Sequence, residues 1–377
     1  MNVPLLNLQA QYVSLRDKLR PVIEQVFESQ HFVLGKYVRE LETAIAAYSQ
    51  TKYAVGCASG SDALLLALMA LDIGEGDEVI TSPFTFFATG GAIARLGATP
   101  VFVDIDPETY NLAPELVPPA ITSRTKAIIP VHLYGQCANM TPLLKISGQT
   151  GIPLIEDAAQ AIGAEDSGRP AGSMGLTGTL SFYPTKNLGG AGDGGMVVSN
   201  DEDFAERVKR LRTHGGITEY EHSEVGINSR LDELQAAVLL TKFSHLEEWS
   251  RLRAQKAATY SKLLAQTNSE IEVKPPFVRA DGRHIFHQYV VRVPEHRDQL
   301  AQHLKENGVG TKVYYPIPLH RQSCFSYLGY VEGSLPESES AARETLALPM
   351  YPELSDEQQQ YVLEMIQTFK PGARLNV

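Results

Sequence analysis

The chain has 377 residues, 43% of them hydrophobic and 20% charged, which is the composition of a soluble globular protein. Its formal net charge of −11 argues against nucleic acid as a main partner, because a phosphate backbone is bound by a basic surface. No apolar run reaches the length needed to cross a membrane, so we expect no membrane partner. The length favours a large domain followed by a smaller one.

The first predicted elements along the chain are helical. Residues 15–48 have a helical pattern that is interrupted near residues 32–35. From about residue 50 to residue 200, short β-rich runs alternate with helical stretches. The runs that are apolar almost throughout are predicted to be buried strands, and they cover 78–81, 101–104, 127–131, 154–157 and 196–198. Continuous hydrophobicity favours a mostly parallel sheet covered on both faces, and hence a doubly wound α/β domain.

The pattern changes towards the C-terminus. Apolar residues recur at helical spacing in a segment free of glycine and proline, which predicts one long helix over about residues 229–266 that bridges two domains. After the proline pair at 275–276, a strand at 290–293 and helices near 297–307 and 356–370 predict a smaller α+β domain. We assign residues 1–245 to an N-terminal segment and a large α/β domain, and residues 246–377 to a small C-terminal α+β domain.

The cysteines indicate a reducing compartment. The sequence has 3 of them, Cys57, Cys137 and Cys324, which are widely separated and odd in number. This spacing is typical neither of a disulfide framework nor of a metal-ligand cluster, so we predict free, mostly buried thiols and no metal site. Residues 1–8 have neither a basic start nor a long apolar core, which argues against a signal peptide. We therefore expect a cytoplasmic protein.

Residues that directly follow the apolar runs are site candidates, because ligands of doubly wound sheets bind beyond the carboxyl ends of the strands. Gly60 and Ser61 follow the run at 53–56 and open a strongly apolar helix. Backbone N–H groups at a helix N-terminus, together with serine hydroxyls, form a phosphate site. The alternative is an ordinary N-cap, in which Ser61 or Asp62 caps a buried helix.

Asp157 ends the apolar run at 153–156. A buried carboxylate is costly unless it meets a cation, and the protonated nitrogen of a pyridine ring would be such a partner. The alternative is a carboxylate that caps a helix starting at residue 158. Phe86 follows another predicted strand, where it could stack on a planar ring or belong to the core.

Lys186 lies in a segment almost free of other charge, between an apolar, strand-like start at Ser181 and a run of glycines. Apolar surroundings disfavour the ammonium form, so the amine of such a lysine can attack carbonyl groups. The glycines would let the backbone approach a bulky planar group. These are the requirements of a lysine that forms a Schiff base with pyridoxal 5′-phosphate (PLP). The alternative is a surface lysine on a glycine-rich loop.

The order of these features closely resembles the DegT/DnrJ/EryC1/StrS family of PLP-dependent sugar aminotransferases, which belong to the fold type I class. The resemblance covers nearly the whole chain. The motifs that carry it are GSDAL at 60–64, GDEVI at 76–80, FVDID at 102–106, VHLYGQ at 131–136, EDAAQA at 156–161, SFYPTKN at 181–187, NSRLDELQA at 228–236 and YPIPLH at 315–320. The resemblance implies a large PLP-binding domain with a mostly parallel sheet and a smaller C-terminal domain.

The resemblance also implies a role for each candidate residue. Lys186 would form the Schiff base with PLP and later move a proton between carbon atoms. The remaining cofactor contacts would be Asp157 to the pyridine nitrogen, Gln160 to the ring hydroxyl, Phe86 to the ring face, and Gly60, Ser61 and Ser181 to the phosphate. Asn228 would join the phosphate site from a second subunit. The resemblance thus predicts a homodimer with shared active sites.

The presence of Lys186 favours transamination, because a dehydratase branch of the family has histidine at this position. The resemblance implies that L-glutamate donates an amino group, that pyridoxamine phosphate is the intermediate, and that a nucleotide-linked keto-sugar accepts the amine. Tyr183 replaces a histidine found in many members that act at C4. This variant resembles members that aminate C3 of dTDP- or UDP-linked 3-keto sugars.

Three residues are predicted substrate contacts. Tyr183 follows the Ser-Phe pair, and Tyr314 and His320 lie in or beside a proline-rich loop that approaches the substrate in the family, with Tyr315 a further candidate. The alternatives are that Tyr183 merely packs beside the cofactor and that His320 is solvated. Three other functions stay open: a 4-keto-sugar aminotransferase, a ketocyclitol aminotransferase, and a non-catalytic PLP-binding regulatory protein.

Overall fold

The computed structural model describes residues 1–267 and 269–372. Its α-helices are α1 (Leu8–Ser29), α2 (Lys36–Tyr48), α3 (Gly60–Met69), α4 (Phe87–Arg95), α5 (Met140–Thr150), α6 (Glu202–Leu211), α7 (Glu233–Phe243), α8 (Leu246–Gln266), α9 (Arg297–Glu306), α10 (Pro336–Glu344) and α11 (Asp356–Thr368). Its strands are β1 (Tyr53–Cys57), β2 (Glu78–Thr81), β3 (Thr99–Phe102), β4 (Thr125–Ile129), β5 (Ile155–Asp157), β6 (Glu165–Asp166), β7 (Arg169–Pro170), β8 (Thr177–Ser181), β9 (Gly195–Ser199), β10 (Gly216–Thr218), β11 (Glu221–His222), β12 (Gly282–Arg283), β13 (Tyr289–Arg292) and β14 (Thr345–Leu348). Over these residues, no helix has both the length and the apolar character of a membrane span.

The central sheet has the strand order β3-β2-β4-β5-β8-β9-β1. Strands β3, β2 and β4 pair in parallel, and a parallel bridge between Ile128 and Leu154 joins β4 to the segment that enters β5. Strands β5 and β8 are also parallel, whereas β9 runs antiparallel to both of its neighbours, β8 and β1. The predicted α/β fold with a mostly parallel sheet is therefore confirmed, and each run predicted as a buried strand between residues 50 and 200 overlaps a strand of this sheet.

The predicted break between the first two helices is confirmed. Gln30 ends α1 in the left-handed conformation, with φ at 53°, and Gly35 precedes α2 without a capping side chain of its own. Glu233 supplies the cap, because its carboxylate accepts hydrogen bonds from the backbone N–H groups of Tyr37 (2.6 Å) and Val38 (3.2 Å). A Cβ at Gly35 would lie 2.6 Å from that carboxylate, so a larger residue here would displace the cap.

The single helix predicted over residues 229–266 is wrong, because the structure divides this segment into α7 and α8. Ser244 Oγ donates to the carbonyl of Thr241 (3.0 Å), and the backbone N–H of His245 donates to the carbonyl of Lys242 (2.9 Å). A serine that bonds to the preceding turn competes with the helical ladder, and here the ladder ends. Helix α7 packs against α1 and α2, whereas α8 packs against α11, and the predicted bridging of two domains stays a prediction.

The C-terminal part of the chain has an apolar core of its own. Strands β13 and β14 pair antiparallel, and they share this core with α8, α9 and α11. Val3 also belongs to it: Val3 forms a parallel bridge with Val309, and the backbone N–H of Met350 donates to the carbonyl of Leu5 (3.2 Å). The boundary between residues 245 and 246 stays a prediction. Residues 268 and 373–377 of the predicted second domain lie outside the described residues.

Candidate active site

The predicted cofactor residues follow strands of the central sheet at one common edge. Gly60 and Ser61 come after β1, Phe86 comes after β2, Asp157 ends β5 and Ser181 ends β8. Strands β1 and β8 run in the same direction, because each is antiparallel to β9, which lies between them. Strands β2 and β5 run in this direction too. Their carboxyl ends therefore lie at the same edge, where ligands of such sheets bind.

Strand pairing brings the turn after β1 against the end of β8. Cys57 of β1 and Ser181 of β8 both pair with Gly195 of the intervening β9. The turn that follows Cys57 is thereby placed beside Ser181. A Cβ at Gly60 would lie 2.6 Å from the Cβ of Ser181 and 3.0 Å from its Oγ. Glycine at position 60 therefore keeps the space around the Ser181 hydroxyl open.

Ser59 is the N-cap of α3. Its Oγ accepts a hydrogen bond from the backbone N–H of Asp62 (3.1 Å), so the alternative in which Ser61 or Asp62 caps the helix is wrong. The Asp62 carboxylate instead accepts a hydrogen bond from Ser229 Oγ (2.7 Å). Ser61 lies exposed in the first helical turn. Backbone N–H groups and the helix dipole favour an anion at this position.

We expect Gly60→Ala to weaken PLP binding about tenfold or more. The added Cβ would lie 3.0 Å from Ser181 Oγ and displace a hydroxyl predicted to hold the phosphate. A hydrogen bond to a charged group contributes about 1.5–3 kcal/mol, and 1.4 kcal/mol is about tenfold in Kd. Titration of the apoprotein with PLP measures the effect. Gly74→Ala is the control, since the nearest atom to its added Cβ is the Leu96 carbonyl oxygen at 3.9 Å. Equal Kd values for the two variants would contradict the prediction.

Asp157 is buried, and its two carboxylate oxygens have different partners. Oδ1 accepts a hydrogen bond from the backbone N–H of Ala159 (3.2 Å), and Oδ2 accepts one from Thr89 Oγ1 (2.7 Å). Turns rather than an α-helix follow Asp157, so the helix-cap alternative is wrong. Burial raises the pKa of Asp157, whereas the hydrogen bonds from Thr89 and Ala159 and the charge of Lys186 oppose the rise. An adjacent cation would stabilise this carboxylate in its charged form.

Thr89→Val is expected to shift the acid limb of the kcat/KM profile to higher pH. Loss of the Thr89 hydroxyl removes a donor that favours the charged carboxylate, so the pKa of Asp157 rises further and Asp157 becomes protonated at a higher pH. Activity should therefore fall more at pH 6 than at pH 9. Thr85→Val is the matched control. It removes a neighbouring hydroxyl, whose Oγ1 contacts Thr89 Oγ1 (3.1 Å), and should leave the acid limb in place. If the acid limbs of Thr89→Val and the unmodified protein superimpose, Thr89 does not stabilise the charged form of Asp157.

Lys186 is half-buried in the turn after β8, where its backbone N–H donates to the carbonyl of Tyr183 (2.8 Å). Burial lowers the pKa of the Lys186 amine to about 8, and the negative charge of Asp157 opposes this shift. The two groups are thus close enough for their charges to interact. A sizeable fraction of the amine is uncharged near pH 8, and the uncharged amine is the nucleophile. Lys186 is therefore not an ordinary surface lysine.

The glycines after Lys186 pack against the chain itself. A Cβ at Gly189 would lie 2.3 Å from the carbonyl oxygen of Pro184, and one at Gly195 would lie 2.2 Å from that of Ser59. These positions require glycine because two backbone segments approach each other closely. The interpretation that they make room for a planar ligand is wrong at these two positions.

Phe86 and Tyr183 present exposed rings at the same edge of the sheet. The exposed fraction is 58% for Phe86 and 52% for Tyr183, so Phe86 is not a core residue. The Phe86 ring lies 6.3 Å from the ring of Tyr315, measured between centroids. Both rings are therefore available to a bound molecule, and their predicted roles towards cofactor and substrate stay predictions.

Gln160 is buried, and both ends of its side-chain amide are held. Its Oε1 accepts a hydrogen bond from the backbone N–H of Tyr134 (2.8 Å), and its Nε2 donates to the Tyr315 hydroxyl (2.9 Å). Of the neighbouring residues Tyr314 and Tyr315, Tyr315 is therefore the one whose side chain bonds to a predicted cofactor residue. Tyr314 contributes its carbonyl oxygen, which accepts a hydrogen bond from the Tyr134 hydroxyl. A substrate contact by the Tyr314 ring stays a prediction.

His320 is 2% exposed, so the alternative of a solvated histidine is wrong. Its Nε2 lies 3.0 Å from Glu339 Oε1, and the same carboxylate accepts a hydrogen bond from the backbone N–H of Gly333. Beside it, Phe325 packs against Phe87, with ring centroids 5.7 Å apart. His320 therefore anchors its loop next to α4, and its predicted contact with substrate stays a prediction.

Asn228 is exposed and lines a cavity of about 440 Å³ together with Ser61 of the same chain. Phe87 and Arg95 of α4 line the same cavity. The predicted phosphate turn thus borders a space large enough for a ligand or for part of another subunit. The contribution of Asn228 to a partner's site stays a prediction.

Two residues of this site carry no strong signal in the sequence. Thr89, which donates to Asp157, lies four positions after Thr85, which precedes α4, and this spacing is the only hint. Nothing in the sequence distinguishes Tyr315 from its neighbour Tyr314 as the residue that bonds to Gln160. Among the described residues, no group of three or more His, Cys, Asp or Glu side chains could hold a metal ion.

The donor set at this edge fits PLP. The open turn at Gly60 and Ser61 suits a phosphate, the buried carboxylate of Asp157 suits a protonated ring nitrogen, and the amine of Lys186 suits the aldehyde carbon.

Comparison with known proteins gives relatives over almost the full length. A pleiotropic regulatory protein of Geobacillus stearothermophilus is 54% identical over 370 residues, which cover 98% of this chain and 99% of that protein. A UDP-N-acetyl-3-dehydro-α-D-glucosamine 3-aminotransferase of Acidithiobacillus ferrooxidans is 43% identical, with coverage of 94% and 95%. The crystal structure of S. venezuelae DesV in complex with a ketimine intermediate superimposes with a TM-score of 0.93 at 42% identity, and covers 97% of this chain and 98% of that one.

The family model for the DegT/DnrJ/EryC1/StrS aminotransferases matches residues 14–367. This match spans the sheet, the edge that carries Lys186 and Asp157, and most of the C-terminal part. The predicted family, the fold type I architecture and the PLP cofactor with its pyridoxamine form are thereby confirmed. The chain belongs to the DegT/DnrJ/EryC1/StrS aminotransferase family, and it is a PLP-dependent aminotransferase.

Proposed function

We propose that this protein transfers an amino group from L-glutamate to C3 of a UDP- or dTDP-linked 3-keto sugar. The observation that carries the proposal is that a half-buried Lys186 amine, whose pKa is lowered to about 8, lies close enough to the buried Asp157 carboxylate for their charges to interact at the ligand-binding edge of the sheet. The choice of a nucleotide-linked 3-keto sugar is supported by the name of the A. ferrooxidans relative.

The roles of the protein groups follow from their chemistry. Bound PLP supplies a ring that accepts electrons from the reacting carbon when its nitrogen is protonated. Asp157 keeps that nitrogen protonated, and Thr89 holds the Asp157 carboxylate in its charged form. Lys186 holds the cofactor and moves protons at its Nζ atom. Phe86 covers one face of the ring, and Gln160 binds the ring hydroxyl.

The phosphate site is assigned to Gly60, Ser61 and Ser181, at the N-terminus of α3. The net charge of −11 does not conflict with this assignment, because neutral donors and the helix dipole bind the phosphate. Tyr183 and Tyr314 are assigned to the sugar nucleotide. We place the protein in the cytoplasm, where its free cysteines stay reduced.

We also propose a homodimer in which Asn228 of one subunit completes the phosphate site of the other. Large apolar side chains are exposed around this region, which is typical of a protein interface, and the most exposed are Tyr220 and Val225, at 90% and 91%. Asn228 is itself exposed and close to these residues in the chain.

Mixed dimers test the shared site. If Asn228 acts across the interface, mixing the inactive variants Lys186→Ala and Asn228→Ala yields dimers in which one of two sites has both residues intact, so activity reappears. If Asn228 acts within its own subunit, neither site of a mixed dimer is intact and the mixture stays inactive. A monomer by analytical ultracentrifugation would overturn the proposal outright.

A regulatory function is the second candidate, and the name of the G. stearothermophilus relative favours it. A regulatory protein would bind PLP without converting it. The aminotransferase proposal predicts that L-glutamate replaces the visible absorption band of lysine-bound PLP by that of pyridoxamine phosphate, with release of 2-oxoglutarate. An unchanged band in the presence of L-glutamate and other amino acids would favour the regulatory function.

A panel of keto-sugars tests the position of amination. The pyridoxamine form should regain the PLP band with 3-keto sugars linked to UDP or dTDP, and should not react with the matching 4-keto sugars or with free ketocyclitols. Reaction with 4-keto sugars alone would rule out amination at C3. Reaction with a ketocyclitol at the same rate would show that the nucleotide is not required.

A further inference from the structure

A short segment, residues 285–288, touches both sides of the proposed cofactor site. On one side, the backbone N–H groups of Ile285 and Gln288 donate to the carbonyls of Gly135 (2.9 Å) and Tyr134 (3.3 Å). The backbone N–H of Tyr134 in turn donates to the amide oxygen of Gln160 (2.8 Å). The segment therefore supports the residue assigned to the ring hydroxyl.

On the other side, the segment holds the residue next to Lys186. Asn187 is buried, and its Nδ2 donates to the carbonyl of Ile285 (3.2 Å). This bond fixes the orientation of the amide, so Asn187 Oδ1 is an acceptor and lies 3.1 Å from Nδ1 of the buried His287. The hydrogen-bond network therefore assigns the proton of His287 to Nδ1. Burial and the charges of Lys186 and Arg253 lower the pKa of His287, which keeps the ring neutral.

The segment is itself fixed from the C-terminal part of the chain. Arg253 of α8 is buried, and its Nη1 donates to the carbonyls of Phe286 (3.1 Å), His287 (3.2 Å) and Met350 (3.0 Å). Phe286 has φ at 47°, an uncommon and strained conformation for a bulky residue. Its backbone N–H donates to Nδ1 of His284 (2.9 Å), and the two rings stack at 4.0 Å. Such a backbone persists only where its surroundings hold it.

We propose that His287 is a positioning residue for Lys186, acting through Asn187 and held in place by Arg253. The proposal rests on the proposed function of Lys186 as the amine that binds PLP. The imidazole fixes the turn that carries Lys186, and the clamp by Arg253 links this turn to α8 and to the core of the C-terminal part. His287 does not itself touch the reacting atoms.

The test measures how fast Lys186 of the apoprotein bonds to added PLP. Samples are quenched with borohydride at short times, and mass spectrometry counts the cofactor fixed at Lys186. In the His287→Leu variant we expect this rate and kcat for the L-glutamate half-reaction to fall about tenfold to a hundredfold, as for a misplaced reacting group, with KM for L-glutamate unchanged within about twofold. His287→Asn places an amide N–H near the position of Nδ1 and should recover most of the rate.

Two controls separate positioning from mere stability. Leu304→Ala removes a buried side chain from the core of the C-terminal part, so it lowers the melting temperature without changing the rate of bonding at Lys186. Asn187→Ala should slow bonding as His287→Leu does, and the double variant should be no slower than either single variant, because both break the same contact.

The outcomes distinguish the proposal from the function on which it rests. If the unmodified protein fixes no PLP at Lys186, the proposed function fails. If the unmodified protein does, and His287→Leu fixes PLP at the same rate, or His287→Asn is as slow as His287→Leu, the positioning role is overturned. Additive effects of the His287 and Asn187 variants would also overturn it.

Discussion

Lys186→Ala should abolish turnover, with kcat reduced by about 10⁴-fold, the upper end of what general acid–base groups contribute. The variant loses both the amine that holds PLP and the group that moves protons. PLP should still bind through the phosphate turn, so borohydride should fix no cofactor to the protein while a titration still shows binding. Residual turnover above about 1% would contradict the role of Lys186.

The lowered pKa of Lys186 provides a control that needs no cofactor. In the folded apoprotein the amine has a pKa of about 8, against 10.5 for an unperturbed lysine. The charged amine therefore destabilises the fold, fully below pH 8 and progressively less between pH 8 and pH 10.5. Lys186→Met should raise the melting temperature of the apoprotein at pH 7, and the difference should shrink as the pH approaches 10.5. A difference in melting temperature that does not depend on pH would show that burial of the Lys186 charge is not its cause.

Asp157→Asn should lower kcat by roughly 10²- to 10³-fold, the range found when an enzyme loses one preorganised electrostatic contact. The amide has the shape of the carboxylate and can still accept the hydrogen bond from Thr89, but it carries no charge to keep the pyridine nitrogen protonated. The measurement is single-turnover kinetics with L-glutamate on protein loaded with PLP. KM should change little, because Asp157 does not contact the donor.

Asp166→Asn is the matched control for this variant. Asp166 is another buried carboxylate, and it pairs with Arg279 (2.9 Å). Its substitution should lower the melting temperature and leave the single-turnover rate unchanged within about threefold. If the single-turnover rate of Asp157→Asn fell no further than that of Asp166→Asn, the charge of Asp157 would have no part in the reaction.

The large-scale fold could be predicted because it depends on local patterns. The strands of the parallel sheet are continuous apolar runs, and a residue at the end of such a run reaches the ligand edge whatever the details of packing. Asp157 was placed correctly for this reason, whereas Ser181 was assigned from the family resemblance. The end of α7 was missed because the segment contains neither glycine nor proline, and the hydrogen bond of Ser244 that accompanies the helix end has no sequence signature.

The remaining errors in the site have a common physical cause. The burial of His320 depends on Glu339, and the bond from Tyr315 to Gln160 joins residues far apart in the chain. Spacing in the sequence carries no signal for such pairs. The N-cap at Ser59 was missed for a different reason: several residues in a row could cap α3, and only the backbone conformation selects one of them.

The pairing of Val3 with Val309 has a consequence for how the chain folds. These residues lie far apart in the chain, yet they share one apolar core and a parallel bridge. Contacts between such distant residues close a very long loop and form slowly. During synthesis, Val3 must wait until Val309 has been made. We therefore expect the central sheet to fold first, and the smaller core to close last.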